Sequence, residues 1–182
     1  MTAAPSFADK PTLIGHRVIL RPIGPGDVDE LLTDLMDTEL MRLTGTHTRF
    51  NRQQIEDFCA TRPDKDDRLD LAVLDRSSGT YLGELAITEL DPDNRSCGFR
   101  IALRTGVTGL GYGTEATRLI LDHVFSLGVH RVALEVYAFN PRARHVYEKA
   151  GFVHEGTLRH ALWWDGRWVD AAIMAVLATD PR

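Results

Sequence analysis

A glycine-rich turn, Gly109-Leu110-Gly111-Tyr112-Gly113, joins a strand-like run to a helix-like run, and no other feature of the chain restricts its fold as much. The run before it is Cys97-Gly98-Phe99-Arg100-Ile101-Ala102-Leu103; the run after it covers residues 114–127. Glycine lets a backbone turn tightly and approach a ligand closely. The free N–H groups that open a helix, at the positive end of its dipole, attract an anion. Strand, glycine turn and helix start together predict a phosphate cradle.

Three glycine patterns compete for this turn. A Walker loop needs Gly-Lys-Ser/Thr after its spacer, and no Lys follows these glycines. A dinucleotide fingerprint needs Gly-x-Gly-x-x-Gly. From Gly109 its sixth position is Thr114; from Gly111 it is Ala116, an accepted variant. A unit that starts near residue 100 leaves little chain for a dinucleotide domain. The third pattern, Gln/Arg-x-x-Gly-x-Gly/Ala, reads here as Thr108-Gly109-Leu110-Gly111-Tyr112-Gly113.

A second motif, Asn140-Pro141-Arg142-Ala143-Arg144-His145-Val146-Tyr147-Glu148-Lys149-Ala150-Gly151-Phe152, lies a helix and a strand further on. Taken in order, the two motifs resemble those of the GNAT N-acetyltransferase superfamily. The wording Gly-Tyr-Gly-Thr-Glu-Ala resembles its RimJ/RimL-like branch. The opening Arg17-Val18-Ile19-Leu20-Arg21-Pro22 with Asp27, and the closing strand from Trp168 to Leu177, are similar to the same group, so the resemblance spans nearly the whole chain. It implies a GNAT fold: a mixed α/β architecture with a central, mostly antiparallel sheet and helices on both faces. It also implies acetyl-CoA as co-substrate, with the pyrophosphate held by Thr108, Gly109, Leu110, Gly111, Tyr112 and Gly113. Thr108 departs from the usual Gln or Arg, which removes a side-chain contact but leaves the backbone cradle. The resemblance further implies that the strand ending at Leu103 splays from its neighbour and pairs with the cofactor arm, and that Asn140 faces the cofactor.

Composition restricts the remaining possibilities. At 182 residues the chain can bury one core. Residues 1–10 lack a basic segment followed by an apolar one and are expected to be a disordered lead, with one acetyltransferase domain over 11–182. No apolar run reaches the roughly 20 residues of a membrane span. A net charge of −5 argues against a general nucleic-acid binder and is compatible with a cationic amine. Two distant cysteines, Cys59 and Cys97, point to a reducing, cytoplasmic setting. Seven histidines show no metal-ligand spacing, so no metal is expected.

Periodicity supplies the elements. Helices are expected over 27–38, 51–60, 114–127 and 141–150, with Asp27 and Asn140 as N-caps. Strands are expected over 18–20, 69–74, 81–87, 97–103, 131–137, 152–161 and 168–177.

Two residues are candidates for the chemistry. Tyr147 can protonate a leaving thiolate, a role the resemblance supports. It also lies on an apolar stripe with Ala143, Val146 and Ala150, so a packing role stays open. Where the RimJ/RimL-like branch offers a serine at the fourth position of the second motif, this chain has Ala143. Asn140 is in turn an N-cap, a cofactor contact, or both. The base is open: the branch's glutamate before the Gly98-Phe99 pair is replaced by Ser96. Glu84 is the first substitute, read by alternation as opposite Tyr81, Leu85 and Ile87; Glu135 and solvent are the others. The loop Thr44-Gly45-Thr46-His47-Thr48-Arg49 and the pair Trp163-Trp164 occupy places where the resemblance puts the acceptor pocket, and the two tryptophans should face opposite ways.

The combined reading is an N-acetyltransferase that moves an acetyl group from acetyl-CoA to a primary amine, either a protein N-terminus or a small molecule. Attack is direct, and aromatic tail strands suit a homodimer. The same fold with another acyl-CoA such as succinyl-CoA, a non-catalytic coenzyme-A-binding module, and a nucleotide-dependent oxidoreductase are the alternatives.

Overall fold

The computed structural model describes residues 4–181. Its elements run β1 (Leu13–Ile14), β2 (Val18–Pro22), α1 (Val28–Met36), α2 (Thr38–Thr44), α3 (Arg52–Thr61), β3 (Leu69–Asp75), β4 (Tyr81–Asp91), β5 (Ser96–Leu103), α4 (Tyr112–Ser126), β6 (Arg131–Tyr137), α5 (Pro141–Lys149), β7 (Val153–Trp164) and β8 (Arg167–Leu177). The strands form one sheet in the order β1-β2-β3-β4-β5-β6-β8-β7. Every pairing is antiparallel except β5 with β6. The architecture is thus a mixed α/β fold with a mostly antiparallel sheet, as the sequence predicts.

The alternation of each strand divides the apolar side chains between two cores. On one face α4 and α5 bring Ala116, Ile120, Leu121, Val124, Tyr147 and Ala150 onto Leu20, Leu71, Val73, Leu85, Ile87, Phe99, Val132 and Val136. On the other, α1 and α3 bring Val28, Leu31, Ile55 and Cys59 onto Ile23, Ala72 and Tyr81. Each fully buried Leu or Ile contributes about 1.5–3 kcal/mol, so the α4/α5 core, with more of them, dominates.

Three expectations change. The lead is packed from Pro5 onward: Phe7 is fully buried in the α4/α5-side core, and its N–H donates to Asp66 O at 3.0 Å. The Lys10 ammonium donates to the carbonyls of Phe7 at 2.7 Å and Arg68 at 2.8 Å. One aromatic anchor and one cation that bonds carbonyls beside Asp66, Asp67 and Asp70 tie down a segment with no periodicity; residues 1–3 of that lead lie outside the described residues. The helix expected over 27–38 breaks at Asp37, whose carboxylate accepts from the N–H groups of Glu39 and Leu40 and so starts α2. Third, a bulge in β4 changes which residues share a face. Gly83 pairs with Val73 but Tyr81 with Leu74, so Leu82 is extra. Tyr81 therefore lies on the same face as Glu84, not opposite it.

Candidate active site

The glycine turn is built as a cradle. Gly109 and Gly111 take φ of +81° and +87°, a region side chains strain to enter. Gly111 is the N-cap of α4, which therefore starts at Tyr112, two residues earlier than periodicity suggests. No side chain caps this helix, so its opening N–H groups stay available to an anion. Gly113 packs beside β5 and α5: a Cβ there would make ordinary contact with Leu103 Cδ1 at 3.4 Å and Val146 at 3.7 Å.

The side chains of the turn anchor it from behind. Tyr112 donates its hydroxyl to Asp75 Oδ2 at 2.6 Å, and the Arg17 guanidinium lies 4.7 Å over its ring. Arg17 also donates to Leu110 O at 2.5 Å, while Glu115 accepts from Arg17 N at 2.7 Å. Hydrogen bonds from Ser77, Tyr112 and Ser78 hold the Asp75 carboxyl well below the usual range, so it stays an acceptor. Thr108 is not left alone: Arg142, from the first turn of α5, donates to Thr108 Oγ1 at 2.6 Å. A cation thus reaches the loop from another element at the position where the sequence lacks one. Asn140 caps α5, accepting from Ala143 N at 3.1 Å.

Beside the cradle the sheet opens. Strands β5 and β6 pair only at Ser96↔Arg131, Cys97↔Val132 and Gly98↔Ala133. Beyond that point β5 continues to Leu103 and β6 to Tyr137 without pairing to each other. Their facing N–H and C=O groups need partners, and an extended, amide-bearing ligand can supply them. Leu103 stands at the end of this slot, against Gly113 of the cradle.

Tyr147 is 5% exposed and stacks edge-on to Phe99 at 6.1 Å and against Phe152 at 5.8 Å. Its burial raises the phenol above its ordinary range, so the proton is in place at neutral pH. Phe99 is the first β5 residue past the pairing, which puts Tyr147 beside the apex of the opening on the α4/α5 face. Glu84 is placed differently. It sits opposite Ala102, four residues along β5 from Gly98, and its carboxylate accepts from Arg100 at 2.7 Å. Burial pushes the Cys59 thiol up to about 11 and Cys97 to about 12, so neither is a thiolate at neutral pH.

The α1–α3 face carries the loop and the tryptophan for which the resemblance implies an acceptor role. Gly45 ends α2 with φ +66°, and a Cβ there would meet the Tyr137 ring at 2.5 Å. His47 stacks on Trp164 at 4.8 Å, joining the 44–49 loop to the tail hairpin. Trp163 turns away, half exposed, against Trp168 at 5.0 Å. Arg104 ties α1 to the end of β5 through Asp34 at 2.6 Å and Glu30 at 2.6 Å. Arg17, Arg142 and the Gly45–Tyr137 contact join residues far apart in sequence, and no local pattern announces them.

The family model for the acetyltransferase (GNAT) domain matches residues 17–153, a span that contains the cradle, the opening and the whole of the motif carried by α5. The chain belongs to the GNAT acetyltransferase family. It is an N-acetyltransferase. It is 27% identical over 158 residues to an uncharacterised N-acetyltransferase of a Bacillus subtilis prophage, covering 86% of this chain and 87% of that one. It is 31% identical over 106 residues to the spermidine N(1)-acetyltransferase of Vibrio cholerae, covering 58% of this chain and 61% of the relative. Among solved structures, this acetyltransferase superposes with a TM-score of 0.84 on the Vibrio cholerae spermidine N-acetyltransferase in complex with CoA and spermine, at 24% identity over 90% of this chain and 96% of that one. A GNAT protein from Brucella melitensis gives a TM-score of 0.78 at 26% identity, covering 97% and 83%.

Proposed function

We propose that the protein transfers the acetyl group of acetyl-CoA to a primary amine by direct attack. The observation that carries this reading is the loss of β5/β6 pairing after Gly98 and Ala133, directly beside an uncapped, glycine-started helix. One feature suits the amides of a pantetheine arm, the other a pyrophosphate. The cradle N–H groups at 109–113 hold the phosphates, and Arg142 supplies the charge that Thr108 does not. Asn140 keeps α5 in place for this contact through its cap.

The chemistry follows from which groups are charged. The acceptor must reach the carbonyl as a neutral amine. As its nitrogen bonds to the carbonyl carbon, the carbon–sulfur bond breaks and the electron pair leaves on sulfur. Tyr147 donates to that sulfur. A thiol near 8.5 is a stronger acid than a phenol raised above about 10, so full proton transfer from the phenol is uphill. Its larger contribution is a hydrogen bond that stabilises the departing sulfur, with solvent completing the protonation. The protonated thiols of Cys59 and Cys97 suit a reaction without a covalent enzyme intermediate.

The acceptor we favour is a small amine such as a polyamine. It is supported by the chain's net charge of −5 and by the relatives named for spermidine. A protein N-terminus, the substrate type of the RimJ/RimL-like branch, is the second reading, favoured by the Gly111-Tyr112-Gly113-Thr114-Glu115-Ala116 wording. We also propose a cytoplasmic protein that pairs through its tail hairpin, where Trp163 and Trp168 are 49% and 55% exposed. Among the described residues no helix is long and apolar enough to cross a membrane. Thiol release from acetyl-CoA, measured with a panel of polyamines, amino acids and N-terminal peptides and followed by mass spectrometry, tests the function. Acetylated amine with stoichiometric thiol is expected. Tight coenzyme A binding without turnover on any amine would instead mark a non-catalytic module, and turnover only with succinyl-CoA a different acyl donor.

A further inference from the structure

Strand β4 is interrupted where it passes the apex of the β5/β6 opening. Its register with β5 runs from Gly83↔Leu103 to Thr88↔Gly98, slips, and resumes at Asp91↔Ser96. Glu89 and Leu90 therefore face the single residue Cys97, which is a β-bulge, a device that re-aims side chains. Glu89 takes φ +55°, a conformation that side-chain-bearing residues rarely adopt. The result is that its carboxylate lies back over β5. A Cβ on Gly98 would stand 3.4 Å from Glu89 Oε2 and 3.0 Å from Thr88 Oγ1. The carboxylate thus lies within van der Waals reach of Gly98, where a side chain would also press on Thr88.

Gly98 is also the last β5 residue paired with β6. The carboxylate of Glu89 thus stands at the apex of the opening, on the face that carries Gly98, Ala133, Glu135 and Tyr137. Tyr147 stands at the same apex on the opposite face, against Phe99. Among the described residues no ion pair or hydrogen bond engages the Glu89 side chain, whereas Glu84 is held by Arg100. A free carboxylate on the acceptor side and a phenol on the cofactor side bracket the point where a thioester would lie.

We propose that Glu89 is the general base of the reaction. It attracts the ammonium form of the acceptor and takes its proton, directly or through one water, before nitrogen attacks the carbonyl carbon. The proton goes to the carboxylate, the nitrogen–carbon bond forms, the carbon–sulfur bond breaks, and sulfur is protonated from the Tyr147 side. The assignment rests on the acetyl-transfer reading.

The test uses the whole chain, acetyl-CoA and spermidine, or whichever amine of the panel turns over best. Glu89→Gln keeps the shape and removes the charge. It is expected to lower kcat/KM for the amine by about 10²–10³-fold, within the range for a lost acid–base group. Acetyl-CoA affinity by calorimetry should stay within about twofold. Glu89→Gly removes the carboxylate while suiting φ +55°; it should melt no lower than wild type yet turn over as slowly as the Gln variant. Glu135→Gln, further along β6 on the same face, should stay within about tenfold of wild type, below the range for a lost base. Wild-type turnover in Glu89→Gln, a Gly variant that is slow while the Gln variant is normal, or a larger loss in Glu135→Gln would each overturn the assignment to Glu89 and leave the acetyl-transfer reading standing. A wild-type protein that binds coenzyme A but releases no thiol with any amine would overturn both.

Discussion

On the α4/α5 face one stretch of chain, residues 96–113, supplies the open strand, the glycine cradle and the helix start, and one more motif, 140–147, supplies the cap and the phenol. On the α1–α3 face no stretch does comparable work. There Gly45 meets Tyr137, His47 meets Trp164, Glu89 meets Gly98, and Arg104 meets Asp34 and Glu30. The proposed cofactor side is local, and the proposed acceptor side is assembled across the sheet. A common co-substrate can be held by fixed local geometry, whereas an acceptor surface made of long-range contacts can change by substitution at any one of several elements.

The largest effect should come from the point where the two faces meet. Tyr147→Phe keeps the ring against Phe99 and Phe152 and removes the donor. Turnover should drop about 10²–10⁴-fold with coenzyme A affinity nearly unchanged, measured by thiol release and calorimetry. Tyr147→Ala should instead destabilise by about 3–5 kcal/mol through the cavity it leaves. Wild-type turnover in the Phe variant would reduce Tyr147 to a packing residue and leave solvent alone to stabilise and protonate the departing sulfur.

The next largest concerns how the α1–α3 face is anchored. Asp27, almost fully buried before α1, accepts from Arg21 at 2.7 and 2.8 Å and from Gly24 N at 2.9 Å. Burial works to raise its pKa, but the Arg21 hydrogen bonds and the Gly24 N–H outweigh it, and the folded value is lowered. Its contribution is therefore complete above the unfolded value near 3.9 and is lost as pH falls through the folded one. Asp27→Asn should cost about 2–3 kcal/mol at neutral pH, less than a fully buried pair because Arg21 is partly exposed, and should flatten the acid side of a melting-temperature profile. An unchanged profile would show that the pair does not anchor α1.

Smaller effects should separate the two sides. Gly45→Ala puts a Cβ against Tyr137 in a left-handed backbone and should cost about 1–2 kcal/mol. It should raise KM for the amine several-fold without changing coenzyme A affinity; the reverse pattern would mean that the 44–49 loop belongs to the cofactor side. Arg142→Ala should weaken coenzyme A by about 1 kcal/mol, roughly fivefold, with a salt dependence shallower than wild type. Thr108→Ala should change affinity by less than about twofold, since the backbone forms the cradle.

This division explains what could be read from the sequence. The helices, most strands, the cradle and the Asn140 cap follow from local chemistry: glycines at φ values that need them, apolar periods, and capping side chains. The bulges in β4 do not. A two-against-one mismatch depends on the partner strand, so alternation set Tyr81 on the wrong side of Glu84 and gave no sign that Glu89 reaches Gly98. The break at Asp37 had a local signal, an Asp followed by Thr-Glu, that competed with an unbroken helical period. Phe7 in the core and Arg142 on Thr108 were hidden because each finds its partner through the folded sheet, not along the chain.

In the function proposed, the break in β5/β6 pairing and the glycine cradle together form the coenzyme A site. Amide hydrogen exchange with and without coenzyme A tests it most directly. New protection is expected to concentrate at residues 99–103 and 109–114, with little change over 44–49 and 163–168. Protection that left 99–103 untouched, or that fell mainly on the 44–49 loop and the tail hairpin, would contradict it.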